Sequence, residues 1–283
     1  MISRAARKNA LDPCPALLKL RVMTELADAL LPLLKAQLSE GPTPHLVFIS
    51  GAQGIGKSTA LRSAIEALGP RAIGLGIDDF YLPKSERERL AAEVHPLFAT
   101  RGPPGTHDVP LLMETLTALR TVRPGSAISL PRFSKRDDDR GEPTVLTPEE
   151  RPSLIILEGW LMGAAPDPSA PSDAPLNSIE AEDQTGAWRQ YQEEQLAGPY
   201  ARLWDLADSF IHLDAPDFET VLGWRLQQEA ENLGKAPGTL REAETRWVER
   251  FIQHYKRLTR RMLSGQRRDG HVIKVRVDRS VEV

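Results

Sequence analysis

The chain has 283 residues, 41% of them hydrophobic, enough to bury a full core in one large domain or in one domain carrying insertions. Its formal net charge is −3, so no overall field recruits nucleic acid or an anionic membrane. The one cysteine, Cys14, cannot form an internal disulfide, and no apolar run reaches the roughly 18 residues of a membrane span. Together these features lead to the expectation of a soluble cytoplasmic protein, monomeric or homodimeric, with no nucleic-acid or membrane partner.

From about Pro15 to Leu38, residues Leu20, Met23, Ala27, Leu30, Leu31, Leu34 and Leu38 recur at helical spacing. This predicts an N-terminal helical extension, residues 1–44, packed on a core that begins at residue 45. Gly41–Pro44 breaks the helix, and His45–Ser50 is short, apolar and β-rich, as a buried strand is. Next comes Gly51-Ala52-Gln53-Gly54-Ile55-Gly56-Lys57-Ser58, which fits the pattern G-x-x-x-x-G-K-[ST]. Thr59–Leu68 then has helical spacing and stops at Gly69-Pro70. Strand, glycine loop and helix make an anion cradle, because glycines let backbone N–H groups turn inward and a helix N-terminus adds about half a positive charge. Gly51 through Thr59 are therefore expected to bind a nucleoside triphosphate, ATP. Lys57 would reach the β- and γ-phosphates, and the Ser58 hydroxyl would ligate Mg²⁺.

A second strand, Arg71–Ile77, leads into Asp78-Asp79-Phe80-Tyr81. A helix from Val109 to Arg120 follows, then a short third strand around Ala127–Leu130 and a charged loop, Arg132–Glu142. Leu154–Leu157 is a continuous apolar run ending at Glu158-Gly159, as a buried parallel strand does. Ala164–Gly186 is rich in Ala, Pro, Ser and Asp and reads as an insertion loop, about residues 164–186. Ser209–Leu213 and His271–Val277 are the last two strands. Between them Trp247, Phe251, Tyr255, Leu258 and Met262 recur every three or four residues, which predicts one helix burying one face, with the intervening arginines solvated. Strands alternating with helices around a glycine loop predict a three-layer α/β/α phosphate-loop fold with a mostly parallel sheet.

In an open parallel sheet, ligands sit beyond the carboxyl ends of the strands. Three positions converge there: the loop at Gly51–Ser58, the pair Asp78-Asp79, and Glu158. Glu158 stands where phosphate-loop enzymes place an acidic residue that holds Mg²⁺ or its waters, and its other reading is a surface carboxylate at a strand end. Phosphoryl transfer to a hydroxyl needs a carboxylate to take the proton. The acidic pair fits that need, and it fits a turn or a helix cap equally well. Thr100–Asp108 joins backbone-fixing Gly and Pro to the donors Arg101 and His107, a combination that can grip a small anion. Pro131–Arg140 adds further cations, among them Arg132 and Lys135.

Ile77–Leu82, His95–Leu97, Thr100–Asp108, Pro131–Phe133, Leu157–Trp160, Trp224–Glu229 and His254–Thr259 resemble the D-glycerate 3-kinase family. That family belongs with the phosphoribulokinase, uridine kinase and pantothenate kinase group. The resemblance implies ATP and Mg²⁺, with D-glycerate or a similar small hydroxy acid phosphorylated on a hydroxyl, for glycerate the 3-hydroxyl. It implies Asp78 as general base and Arg225 in a mobile lid of about residues 225–246, so that Lys57, Asp78 and Arg225 are catalytic. Asp79, Tyr81, Arg101, His107, Arg132 and Lys135 are then expected at the acceptor. Ser134 stands where the family leads one to expect an acidic residue. Two other readings stand beside this one: a kinase for pantothenate or a nucleoside, and an ATP-binding regulatory protein without transfer activity. A nucleoside acceptor would call for an aromatic-lined pocket, whereas loops rich in Arg, Lys and His suit a small carboxylate.

Overall fold

Each of the long apolar runs becomes a strand of one parallel sheet. The computed structural model describes residues 15–41 and 43–282, the side chains of residues 15–24 excepted. Cys14 and the side chains of Leu20 and Met23 lie outside the described residues. In chain order, helix α1 (Pro15–Ala36) precedes strand β1 (His45–Gly51), helix α2 (Lys57–Leu68) and strand β2 (Ala72–Gly76). Helices α3 (Lys84–Glu93) and α4 (Val109–Thr121) follow, then four very short strands: β3 (Ile128–Leu130), β4 (Phe133–Ser134), β5 (Asp139–Arg140) and β6 (Thr144–Leu146). The second half runs β7 (Leu154–Gly159), α5 (Ala187–Gln195), α6 (Ala201–Trp204), β8 (Ser209–Asp214), α7 (Phe218–Asn232), α8 (Glu242–Gln253), α9 (Lys256–Leu263) and β9 (His271–Lys274).

The sheet has the order β2-β7-β1-β8-β9, and every neighbouring pair is parallel. Helices flank it in a three-layer α/β/α arrangement. Leu154–Leu157 and Leu46–Phe48 are fully buried, as expected of central strands covered on both faces. Leu26, Leu30 and Leu34 carry the buried face of α1, which packs against α2. No helix among the described residues is long and apolar enough to cross a membrane.

Three expectations fail here, for identifiable reasons; one concerns the arginines expected to be solvated, of which Arg257 and Arg261 are instead drawn inward by ion pairs with Glu180 and Glu193. The third predicted strand does not join the sheet: β3 pairs antiparallel with β6 in a separate ribbon, and β4 pairs with β5 in another. A strand as short as Ile128-Ser129-Leu130 carries no information about its partner. The predicted single helix with one buried stripe is two helices, α8 and α9, meeting at His254-Tyr255. Trp247 is 51% exposed, because its end of the stripe faces the open side of the molecule, where it stacks on Phe251 with ring centroids 5.2 Å apart. The aperiodic 164–186 segment turns inward at Ala170, Ile179, Glu180 and Asp183, all buried. Ile179 joins Leu97, Phe98 and Trp188 in a second small core, and Arg257 and Arg189 hold Glu180 and Asp183 by ion pairs.

Candidate active site

The register of the sheet brings the functional groups to one edge. Glu158 of β7 lies opposite Ile49 of β1 and Gly76 of β2, so the glycine loop, the Asp78 turn and Glu158 all leave the sheet at the same end. Gly54 (φ 76) and Gly56 (φ 102) adopt the left-handed conformation that lets the loop wrap back into α2, whose first residue is Lys57. A Cβ on Gly54 would also collide with Trp224 of α7, at 2.7 Å. The Ser58 hydroxyl donates to Glu158 Oε1 at 2.5 Å, and Lys57 Nζ lies 3.7 Å from Glu158 Oε2.

These groups line a cavity of about 750 Å³. Of the residues expected at the site, Gln53, Gly54, Gly56, Lys57, Ser58, Thr59, Asp78, Tyr81, Arg101, Lys135, Glu158 and Arg225 line it. Gly51, Ala52 and Ile55 are buried beneath the loop. Asp79, His107 and Arg132 stand behind the wall. Arg132 is turned outward and pairs with Asp79 at 3.2 Å. His107 is 4% exposed; its ring stacks on Tyr81 and its Nδ1 shares a 2.6 Å hydrogen bond with the Tyr200 hydroxyl.

The acidic pair is split by its surroundings. Burial pushes the Asp78 carboxyl up, but the Lys135 ammonium at 2.7 Å and the Tyr81 hydroxyl, donating to Oδ1 at 2.7 Å, outweigh it and hold the group at about 2. Burial raises Asp79 in spite of Arg132. Burial also lowers His107, to about 4, so that its ring is neutral beside Tyr81. Four of the cations that line the cavity are held by carboxylates: Lys57 by Glu158, Lys135 by Asp78, Arg101 by Asp138 and Arg225 by Glu229 at 2.9 Å.

Lys135 reaches Asp78 even though its loop does not follow a sheet strand. Asp79 accepts the Phe133 N–H, and Lys84 N–H and the Arg140 guanidinium bind Asp139 and Asp108, so the β4–β5 hairpin is tied across the cavity mouth. The Thr100–Asp108 string has its own steric reason. Gly102 (φ 115) sits against the Tyr255 ring, where a Cβ would lie 1.9 Å from the hydroxyl, and that hydroxyl donates to Arg101 O at 2.8 Å. Beside the cations of the acceptor loops, four aromatic side chains, Tyr81, Trp160, Phe251 and Tyr255, line the cavity.

One residue at the opposite wall escaped sequence reasoning. Arg279 donates to Gly54 O at 2.8 Å and Gln227 Oε1 at 2.9 Å, and lies over the Trp224 ring at 5.4 Å. It has φ 65, one of two non-glycine residues with positive φ among those described. No motif marks it; Asp278-Arg279-Ser280 looks like an ordinary turn after a strand.

A glycine loop entering a helix at the carboxyl edge of a parallel sheet, with a serine hydroxyl on the acid of the neighbouring strand, defines a phosphate-loop nucleotide-binding protein. No protein-family model matches the chain. It is 30% identical over 229 residues to "Probable ATP-dependent kinase TDA10" of Saccharomyces cerevisiae, covering 75% of this chain and 77% of that protein. It is 28% identical over 226 residues to the chloroplastic D-glycerate 3-kinase of Arabidopsis thaliana, covering 75% of this chain but 47% of that longer protein. The solved D-glycerate 3-kinase of Cryptococcus neoformans shares the fold, with TM-score 0.68, 23% identity, and 95% of this chain and 99% of that one covered. The chain belongs to the family of ATP-dependent phosphate-loop kinases that includes TDA10 and D-glycerate 3-kinase.

Proposed function

We propose that the enzyme transfers the γ-phosphoryl group of ATP to the 3-hydroxyl of D-glycerate in the cytoplasm. The observation that carries this reading is the pair of cations, Arg101 and Lys135, lining the cavity beside Asp78. A small hydroxy acid offers little apolar area, so charge-assisted hydrogen bonds must supply most of its affinity.

In this reading Lys57 and the loop N–H groups cradle the β- and γ-phosphates. Magnesium uses few protein oxygens and completes its shell with phosphates and water, so Ser58 and Glu158 suit it. Bound there, it would neutralise charge on the transferred group. Asp78, oriented by the Tyr81 hydroxyl, takes the acceptor's hydroxyl proton. Arg101 and Lys135 hold the carboxylate, while Asp79, His107 and Arg132 support them from behind. Arg225 leaves Glu229 for the transferred phosphoryl when residues 225–246 close as a lid.

The four aromatic side chains of the wall favour a second reading, a nucleoside or another larger hydroxyl acceptor stacked on them. An ADP-release assay across D-glycerate, pantothenate, uridine and glycerol separates the two. Turnover confined to glycerate is expected, and glycerol, lacking the carboxylate, should be poor. Equal turnover of glycerol, or preference for uridine, would sink the glycerate assignment.

A further inference from the structure

Arg101 is a long side chain at the end of a loop, and a bidentate grip on a carboxylate requires that its guanidinium be held still. The hold comes from Asp138, between β4 and β5. Asp138 has φ 54, a left-handed conformation that side chains other than Asn and Asp rarely tolerate. Asp138 Oδ1 accepts from Arg101 Nη1, and Oδ2 lies 3.0 Å from Arg87 Nη2. Arg87 is 1% exposed and also donates to Ala99 O at 2.7 Å and Asp138 O at 2.6 Å, so it anchors the arrangement to the backbone on both sides. Both guanidinium groups lie over the Phe133 ring, at 5.8 Å for Arg87 and 5.5 Å for Arg101.

Among the described residues, Asp138 is the one side chain bonded to the Arg101 guanidinium, through Nη1 alone. The Nε–Nη2 edge, the edge that grips a carboxylate in two-point fashion, keeps its donors. Two arginines against one carboxylate leave a surplus of one positive charge beside the cavity.

We propose that Asp138 is a positioning residue that fixes Arg101 so its second edge meets a singly charged acceptor carboxylate. The proposal rests on the acceptor reading given above. Two variants separate the carboxylate from the backbone, because asparagine and glycine both accept the left-handed conformation: Asp138→Asn and Asp138→Gly. The first measurement needs no substrate. Phenylglyoxal modification of Arg101, mapped by mass spectrometry, should quicken about tenfold in both variants, with the outward-facing Arg132 unchanged as internal reference. Unchanged labelling of Arg101 overturns the proposal. In steady-state kinetics the acceptor KM should rise about tenfold while kcat and the KM for ATP stay put. An unchanged acceptor KM also overturns it, and so does a lowered one, since Asp138 would then compete with the acceptor for Arg101 rather than position it. If the unmodified enzyme does not phosphorylate glycerate, the acceptor assignment fails, and the labelling still decides whether Asp138 holds Arg101.

Discussion

At the scale of single residues, the cavity is a set of ion pairs waiting to be exchanged. Lys57 has only a 3.7 Å contact with Glu158 to give up, so phosphate takes it readily. Lys57→Ala should abolish turnover while the thermal unfolding midpoint is kept, since the lysine's partner lies at the cavity wall and not in the core. Near-normal kcat in that variant would remove the central role given to the loop. Asp78→Asn should lower kcat by a hundredfold or more, at the lower end of the ~10²–10⁴ contributed by a positioned base. Lys135 makes a sharper test. Its ammonium is the largest of the effects that keep Asp78 near 2 against burial, ahead of the Tyr81 hydroxyl. Lys135→Met should therefore let burial win and move the acid limb of the kcat–pH profile upward, whereas an unmoved limb would mean that Asp78 is not the titrating group. Arg101→Ala should raise the acceptor KM far more than Arg132→Ala, because Arg132 stands behind the wall, paired with Asp79.

At the scale of elements, what could be read from the chain was what is continuous along it. The glycine loop, its strand and its helix are consecutive, and Leu154–Leu157 announces a buried strand by apolarity alone. What could not be read depends on distant partners. Arg279 meets Gly54 across a separation of 225 positions, and nothing near it in sequence reports that contact. His107 looked like a donor for the acceptor because a Gly/Pro-rich string does not say which of its side chains turn inward. The proposed lid is the element to test in motion. Gly234 (φ 67) and Gly238 (φ 79) lie in the link between α7 and α8, while Arg250 of α8 grips Glu182 at 2.7 and 3.1 Å. Amide exchange over residues 225–246 should slow when a non-hydrolysable ATP analogue and glycerate are both present. Exchange that does not change would argue for a rigid site in which Arg225 keeps Glu229.

For the molecule as a whole, buried histidines tie stability to pH; burial lowers His254 as well, and two other rings are shifted furthest. Burial lowers His107 and His212 from 6.5 to about 4, His212 being further depressed by Arg267. The unfolded chain therefore binds these protons near pH 6.5 and the folded protein only near pH 4. Stability is full above about 6.5 and falls as the pH drops through that window, by on the order of 3 kcal/mol for each ring. Urea unfolding between pH 7 and pH 4 should show the slope, and His212→Gln should flatten it; a pH-independent midpoint would mean that the rings are charged in the fold. The strand order has a consequence of another kind, in the timing of synthesis. β1 lies at the centre of the sheet, between β7 and β8, yet it is the first strand made. Its first residue, His45, pairs with Leu154, so over a hundred residues must be polymerised before β1 gains a neighbour on either side. At ~5–20 residues per second, the apolar stretch Leu46–Ile49 spends roughly 5–20 seconds as an unpaired strand with both edges open. The strand that carries the glycine loop is thus the one a nascent chain most needs shielded, and slowed translation between Gly51 and Leu154 should raise the aggregated fraction of newly made protein.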